Sequence, residues 1–226
     1  MRYGLVGSEM CIRDRLMGAI KINEFWIPEN DIHLNDWKEG KPFTQNKCLL
    51  QFKEWCRTQH KSFQTVIDVG AWAGTWAFEM KEFAGRLYAF EPNKLNFECL
   101  EKNLGGFDNI SCNRFALGDR EGEVSLTSDD FTQAVRIDDK AGNVPMKTID
   151  SFEFKNVELI KLDVEGYEMK VLEGANKTLE TVQYIMIELN NNSKKYGSSN
   201  GKIEDYLKEL GFYEMMNVWP DKIFCR

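Results

Sequence analysis

Acidic residues gather where short apolar runs give out. In "IKLDVEGYEMKVLEGA" (residues 160–175), Asp163, Glu165 and Glu168 follow Ile160–Leu162, while Glu91 closes "LYAFE" and Glu188 stands near the end of "YIMIEL". A buried strand rarely ends in clustered carboxylates unless they are solvated or used. A carboxylate so placed can take the proton of an attacking hydroxyl. Asp163 is the first candidate base, with Glu165 beside it, and His33 is the second if the N-terminal segment folds over the site. The ordinary readings are helix capping for Glu168, worth about 0.3–1 kcal/mol, and a packing or surface role for His33. His33 and His60 are the only histidines, which excludes a histidine-rich metal site. A divalent metal such as magnesium bound by Asp163, Glu165 and Glu188 is a secondary expectation, because hard oxygen donors suit it, and no residue is assigned as a metal ligand.

A second concentration of chemistry is "TVIDVGAWAGTWAFEM" (residues 65–80). A dinucleotide fold wants G-x-G-x-x-G after its first strand, the second glycine letting the backbone approach the pyrophosphate. Here the turn reads Gly70-Ala71-Trp72-Ala73-Gly74, and Trp72 stands in the second-glycine position, where its indole would crowd a diphosphate. No Gly-Lys-Ser/Thr follows, so a P-loop is absent. The turn therefore suits a ligand without phosphates, and S-adenosylmethionine is one. Its amino-acid end needs polar contacts at a tight strand-to-helix turn, and its ribose diol can be held by a carboxylate placed like Glu91. Asp68 would orient the turn or meet the ligand's ammonium group.

These residues need elements to hold them, and the sequence supplies an alternation. "TVIDV" (65–69), "LYAFE" (87–91), "ISCNRFAL" (110–117), "ELIKLDV" (158–164) and "YIMIEL" (184–189) read as strands. "TWAFEMKEF" (75–83), the segment after Asn93 with Phe97, Leu100 and Leu104 on one face, and residues 167–179 read as helices. Asn93 is the expected N-cap of its helix. Alternation of this kind implies an α/β fold with a mostly parallel sheet covered by helices on both faces. Residues 121–137 look like an inserted hairpin, and residues 212–225 like two strands around a Pro-Asp turn, giving an antiparallel C-terminal strand. The loop-like stretch 190–201 follows the fifth strand, where ligands of open α/β sheets bind; it would line a substrate mouth or serve as a solvated connector. Residues 48–59 have helical spacing, and residues 16–45 read as a lead-in that packs on the domain.

The chain has 226 residues, 42% of them hydrophobic, which suits one globular domain. Net charge is −7 and no basic stripe is evident, which argues against a nucleic-acid partner. No apolar run is long enough to span a bilayer and no signal-peptide pattern appears, so a cytoplasmic location is expected. The six cysteines form no Cys-x-x-Cys pair and read as reduced, buried thiols. Residues 5–15, "LVGSEMCIRDR", match the translation of a transposon-type sequencing adapter. Residues 1–15 are accordingly read as assembly read-through and set apart from the lead-in (16–62) and the main domain (63–226).

With these pieces in place, the chain resembles the FkbM family of S-adenosylmethionine-dependent methyltransferases. "DVGAWAGTW", "YAFEPN" and "FALGD" resemble its first three motifs, and the block at 160–175 its most distinctive one, over about residues 63–226. The resemblance implies a Rossmann-like methyltransferase fold and O-methylation of a hydroxyl on a sugar or secondary metabolite. It implies that Asp68, Gly70, Ala71 and Gly74 hold the cofactor's methionine end and Glu91 its ribose. Phe115 and Ala116 would flank the adenine, and Asp163 and Glu165 would face the transferring methyl. Trp72 and Trp76 depart from the smaller or more polar residues commoner at those positions. The acceptor would be a small molecule or glycan. A nicotinamide-dependent oxidoreductase and a catalytically inactive cofactor-binding scaffold remain the alternatives.

Overall fold

The computed structural model describes residues 18–31, 34–40, 46–127, 136–138, 140 and 142–226; residues 1–15 and His33 lie outside them. The chain opens with an antiparallel hairpin, β1 (Ala19–Ile22) and β2 (Phe25–Pro28), followed by the short helix α1 (Leu34–Lys38) and by α2 (Lys47–Thr58). Asn23 and Glu24 both take positive φ in the two-residue hairpin turn, as the twist of a tight hairpin requires. The alternating part then runs β3 (Phe63–Val69), α3 (Thr75–Met80), β4 (Ala84–Phe90), α4 (Lys94–Leu104) and β5 (Ile110–Asn113). After it come β6 (Ala116–Leu117), β7 (Gly122–Leu126), β8 (Ile137–Asp138) and β9 (Val144–Lys147). The chain closes through β10 (Val157–Leu162), α5 (Glu168–Glu173), β11 (Tyr184–Glu188), α6 (Asn200–Glu209), β12 (Tyr213–Val218) and β13 (Asp221–Cys225).

Seven strands form one sheet in the order β12-β13-β11-β10-β3-β4-β5. The strands from β11 to β5 are parallel, and β13 runs antiparallel to both of its neighbours. The antiparallel strand is therefore not the edge, as the simplest closing strand would be: β12 lies outside it. Strands buried on both faces should read as apolar runs, and successive residues feed opposite layers. Val66, Leu159 and Met186 pack with α2, α3 and α4, whereas Ile67, Ile160 and Ile185 pack with α5 and α6.

Three sequence expectations are corrected. The strand over 110–117 is two strands in two sheets. β5 stops beside the end of β4, because the chain continues there into Pro92, which has no N–H for a ladder, and β6 joins a second sheet of order β6-β9-β7-β8. The inserted hairpin exists as β7 and β8, but β9, disguised by Pro145, is its larger partner. The helix over 167–179 ends at Glu173, and a separate 3-10 turn covers Thr178–Glu180. The loop at 190–201 contains a 3-10 turn, Asn192–Tyr196, and the start of α6, capped by the Ser199 hydroxyl. Among the described residues Cys48, Cys56, Cys99 and Cys225 are buried free thiols and Cys112 is half-buried.

Candidate active site

The glycine turn is built by backbone contacts that only certain residues permit. Gly70 has φ +77°, and a Cβ there would stand 1.9 Å from the Asp163 carbonyl oxygen. The N–H groups of Gly70 and Ala71 both donate to the Phe90 carbonyl, at 3.0 and 2.9 Å, folding the turn over the end of β4. Trp72 has φ +49°, and its N–H donates to Glu91 Oε2 at 2.9 Å. Glu91 Oε1 accepts from the Asn93 N–H at 2.9 Å and from Asn96 Nδ2 at 3.4 Å. Glu91 thus ties the turn to the N-terminus of α4, whose expected cap Asn93 accepts from Leu95 and Asn96. Burial pushes the Glu91 carboxyl up to about 7 against the N–H groups of Asn93 and Trp72, which favour its ionised form.

Behind the turn lies a residue that the sequence reading passed over. Lys161 sits in β10 directly beside Asp68 of β3. Its Nζ donates to the Gly70 carbonyl at 2.8 Å, and lies 3.2 Å from Asp68 Oδ1 and 3.4 Å from Asp163 Oδ2. Burial alone would lower the ammonium's pKa, but the charges of Asp68 and Asp163 outweigh it and hold Lys161 above its ordinary value. Burial raises the fully buried Asp68, with Lys161 opposing. The signal was available: a lysine in the middle of "ELIKLDV", a run otherwise fit for a doubly covered strand, needs a partner.

The loop after β10 carries the remaining acids. Asp163 N–H donates to the Val69 carbonyl at 3.1 Å. Glu165 and Gly166 both take positive φ, and the Glu168 carboxylate holds this shape by accepting from the Gly166 N–H at 2.9 Å and the Val164 N–H at 3.4 Å. Glu168 is buried, and desolvation pushes it up to about 7. It supports the loop that precedes α5 from the first turn of that helix. Glu165 Oε2 accepts from Asn192 Nδ2 at 2.8 Å and Asn190 Nδ2 at 3.3 Å, and Glu188 Oε2 from Asn190 Nδ2 at 2.8 Å. The Asn190 side-chain Oδ1 accepts from the Asn192 backbone N–H at 3.0 Å, which sets the orientation of that side-chain amide. Burial, then the charges of Asp163 and Glu165, push Glu188 up to about 9. Asp221, paired with Glu188 across β11 and β13, is raised by burial and Asp163 to about 6, although Asn46 Nδ2 donates to it at 3.0 Å. Burial and Asp163 raise Glu165 as well.

Carboxylate oxygens of Asp163, Glu165 and Glu188 lie within 4.8 Å of one another. These are hard donors, yet the set fits a divalent cation poorly. A cation there would face the Lys161 ammonium, and the Asn190 and Asn192 amides already donate into Glu165 and Glu188. The arrangement suits a shared proton.

One cavity of about 390 Å³ joins the two clusters, within the range of small-molecule sites. Gly70, Ala71, Trp72, Glu91, Phe115 and Ala116 line one side. Asp163, Glu165, Glu188 and Lys161 line the other, with Leu126 and Ile137 of the insert. Trp76 also reaches the wall while its indole N–H contacts Met186 Sδ in the core at 3.2 Å. Two expected binding residues are not on the wall: Asp68 is sealed behind Lys161, and Gly74 packs against Leu100 and Leu104. The cavity opens at the carboxyl ends of β3 and β10, where the chain's crossovers diverge to either side, the switch point at which open α/β sheets bind ligands.

A mostly parallel seven-stranded sheet with one antiparallel strand beside its edge, and a cavity at the β3–β10 switch point, defines a Rossmann-like methyltransferase fold. Residues 68–213, more than half of the chain, match the model of the methyltransferase FkbM domain, and the chain belongs to that family of S-adenosylmethionine-dependent methyltransferases. The oxidoreductase alternative falls with that membership. The chain is similar to the hexuronic acid methyltransferase AglP of Haloferax volcanii, at 29% identity over 133 residues covering 54% of each chain. It also resembles the crystal structure of methyltransferase FkbM from Methylobacillus flagellatus KT, with a TM-score of 0.51 and 15% identity over 73% of this chain and 44% of that one. The chain thus spans about half the length of each relative or less. No helix among the described residues is long and apolar enough to cross a membrane.

Proposed function

We propose that this methyltransferase acts on oxygen, methylating a hydroxyl of a sugar or related small molecule, with Asp163 as the base. The observation that carries the reading is a single cavity with the glycine turn on one wall and Asp163 on the other, bridged by Lys161. The sugar class draws support from the relative that acts on hexuronic acid.

The cofactor supplies an electrophilic methyl group on a cationic sulfur. The turn at Gly70, Ala71 and Trp72 receives its methionine end, with Asp68 and Gly74 shaping that turn from behind. Glu91 binds the ribose diol. Each of its oxygens has two acceptor sites; Asn93 and Asn96 fill those of Oε1, while Oε2, bonded by Trp72 alone, keeps one for a ribose hydroxyl. Phe115 and Ala116 flank the adenine. Asp163, half-open to the cavity and held by Lys161, accepts the acceptor's proton. Glu165 and Glu188 shape the acceptor side beside it. Transfer is then mainly a matter of positioning, which the fixed backbone of both turns provides.

Calorimetry tests the site. S-adenosylhomocysteine should bind, and Glu91→Ala should weaken it by about tenfold or more, roughly 1.4 kcal/mol. Asp163→Asn should keep that affinity and abolish transfer of labelled methyl to the best acceptor from a panel of neutral sugars and uronic acids. Undiminished turnover in Asp163→Asn would reject Asp163 as the base, and a panel in which only amines are methylated would reject oxygen as the acceptor atom.

A further inference from the structure

We infer that the segment ahead of the family domain completes the cofactor pocket, with Trp37 as a binding residue for the S-adenosyl ligand. The inference rests on the assignment of the glycine turn to the cofactor. The family match begins at residue 68, so the hairpin and α1 lie outside it. They are nevertheless joined to the turn itself. Asn103, on α4, accepts from the Trp26 N–H at 2.7 Å and donates through Nδ2 to the Trp26 carbonyl at 2.7 Å and the Ala73 carbonyl at 2.9 Å. One amide therefore clamps β2 and the glycine turn together. Ala73 of the turn is buried in the same apolar cluster as Phe25, Ile27 and Trp37.

Trp37 is the point where this packing reaches the cavity. It is 3% exposed and still lines the wall. Its ring lies 5.4 Å from that of Trp72 at 43°, and Trp72 is the residue whose N–H engages Glu91. A five-residue helix has no stability of its own, so α1 is held in place by the burial of Trp37. The pair also accounts for Trp72 at the second-glycine position: the indole that would obstruct a diphosphate forms, with Trp37, an aromatic wall. Such a wall fits an apolar arm carrying a desolvated cationic sulfur, a chemistry that the S-adenosyl ligand supplies.

The test uses the full chain and S-adenosylmethionine, whose sulfur carries the positive charge. Trp37→Ala should weaken binding by about tenfold or more, while Trp37→Phe stays within about threefold of wild type. Ile27→Ala removes packing from the same cluster without touching the cavity, and should lower the melting temperature yet keep affinity within about threefold. Unchanged affinity in Trp37→Ala, or an equal loss in Ile27→Ala, overturns the inference. Should Trp37→Ala fail to fold, the change in tryptophan emission on titrating the ligand into Trp37→Phe decides: a smaller amplitude than wild type supports the pocket role and an identical one refutes it. Failure of the wild-type chain to bind would instead refute the cofactor assignment.

Discussion

Lys161→Met is the most informative single perturbation of this chain. The methionine keeps the length and apolar bulk of the stem and deletes only the ammonium. That leaves Asp68, with no exposure, facing no cation, and the Gly70 carbonyl without its donor. Removing one partner of a buried ion pair costs about 3–5 kcal/mol. The Asp163 side chain is 40% exposed, so its share of the loss is screened and small. For a chain of this length, about 2–4 °C of melting temperature accompanies each kcal/mol, so a fall of roughly 6–20 °C is expected. The deficit also has a pH signature. Without Lys161, Asp68 lowers the cost of its burial by staying protonated in the folded state, so the penalty grows as pH rises above the unfolded value near 3.8. Urea unfolding at pH 6 and pH 8, followed by tryptophan emission, measures both effects. Adding Asp68→Asn should recover part of the loss, with a coupling of about 0.5–3 kcal/mol between the two sites. A single variant within about 1 kcal/mol of wild type, or single costs that simply add, would show that the pair does not hold the turn.

Three further outcomes follow from the same geometry. Glu91 and Glu168 rise from the ordinary 4.5 to about 7 on folding. Folding therefore takes up protons between those values, and the ligand-free protein should lose stability as pH climbs through that window, by up to about 3 kcal/mol per group; a melting temperature that is flat or rising from pH 5 to 8 in calorimetry would contradict the burial assigned to them. Gly70→Ala places a Cβ against the Asp163 carbonyl at positive φ, so it should abolish S-adenosylhomocysteine binding and lower the melting temperature, and a variant that binds normally would refute the turn geometry. Chelation with EDTA should leave both cofactor binding and methyl transfer unchanged, since the acidic cluster is already served by Lys161, Asn190 and Asn192; loss of transfer restored by magnesium would reverse that reading.

What was legible in the sequence was whatever a residue type declares by itself. Gly70, Trp72 and Glu91 marked the strand-end turn that lines the cavity, because glycine spacing and a strand-end acid have local causes. Asn93 announced a helix start for the same reason. What was not legible depended on partners far along the chain. β5 ends because β4 runs into Pro92, a fact about the neighbouring strand and not about "ISCNRFAL". β9 hides behind Pro145 because its pairing with β6 and β7 is non-local. Asp68 reads from its strand-end position as an acid that orients the turn or meets a ligand's ammonium, and the choice depends on a distant partner: parallel register places Lys161 beside it, and Lys161 holds the Gly70 carbonyl. The aromatic lead-in had no periodicity to read, because its order comes from one amide on α4 and from Ala73 in the glycine turn.

The same register carries a consequence for how the two halves of the site depend on each other. Asp68, Lys161 and Asp163 form a row across β3 and the end of β10, and the ammonium at its centre also holds the Gly70 carbonyl. The turn assigned to the cofactor and the carboxylate assigned to the acceptor are therefore set by one group. One cation is shared between a sealed carboxylate, Asp68, and an open one, Asp163, so it does not by itself offset the acids of the cavity. Burial and the charge of Asp163 raise Glu188 to about 9, so it carries a bound proton near neutral pH, whereas Asp221, raised to about 6, holds one only in mild acid. An acid-rich cavity can then admit a cationic ligand and release protons as it does so, because the charge that arrives replaces the charge the protons supplied.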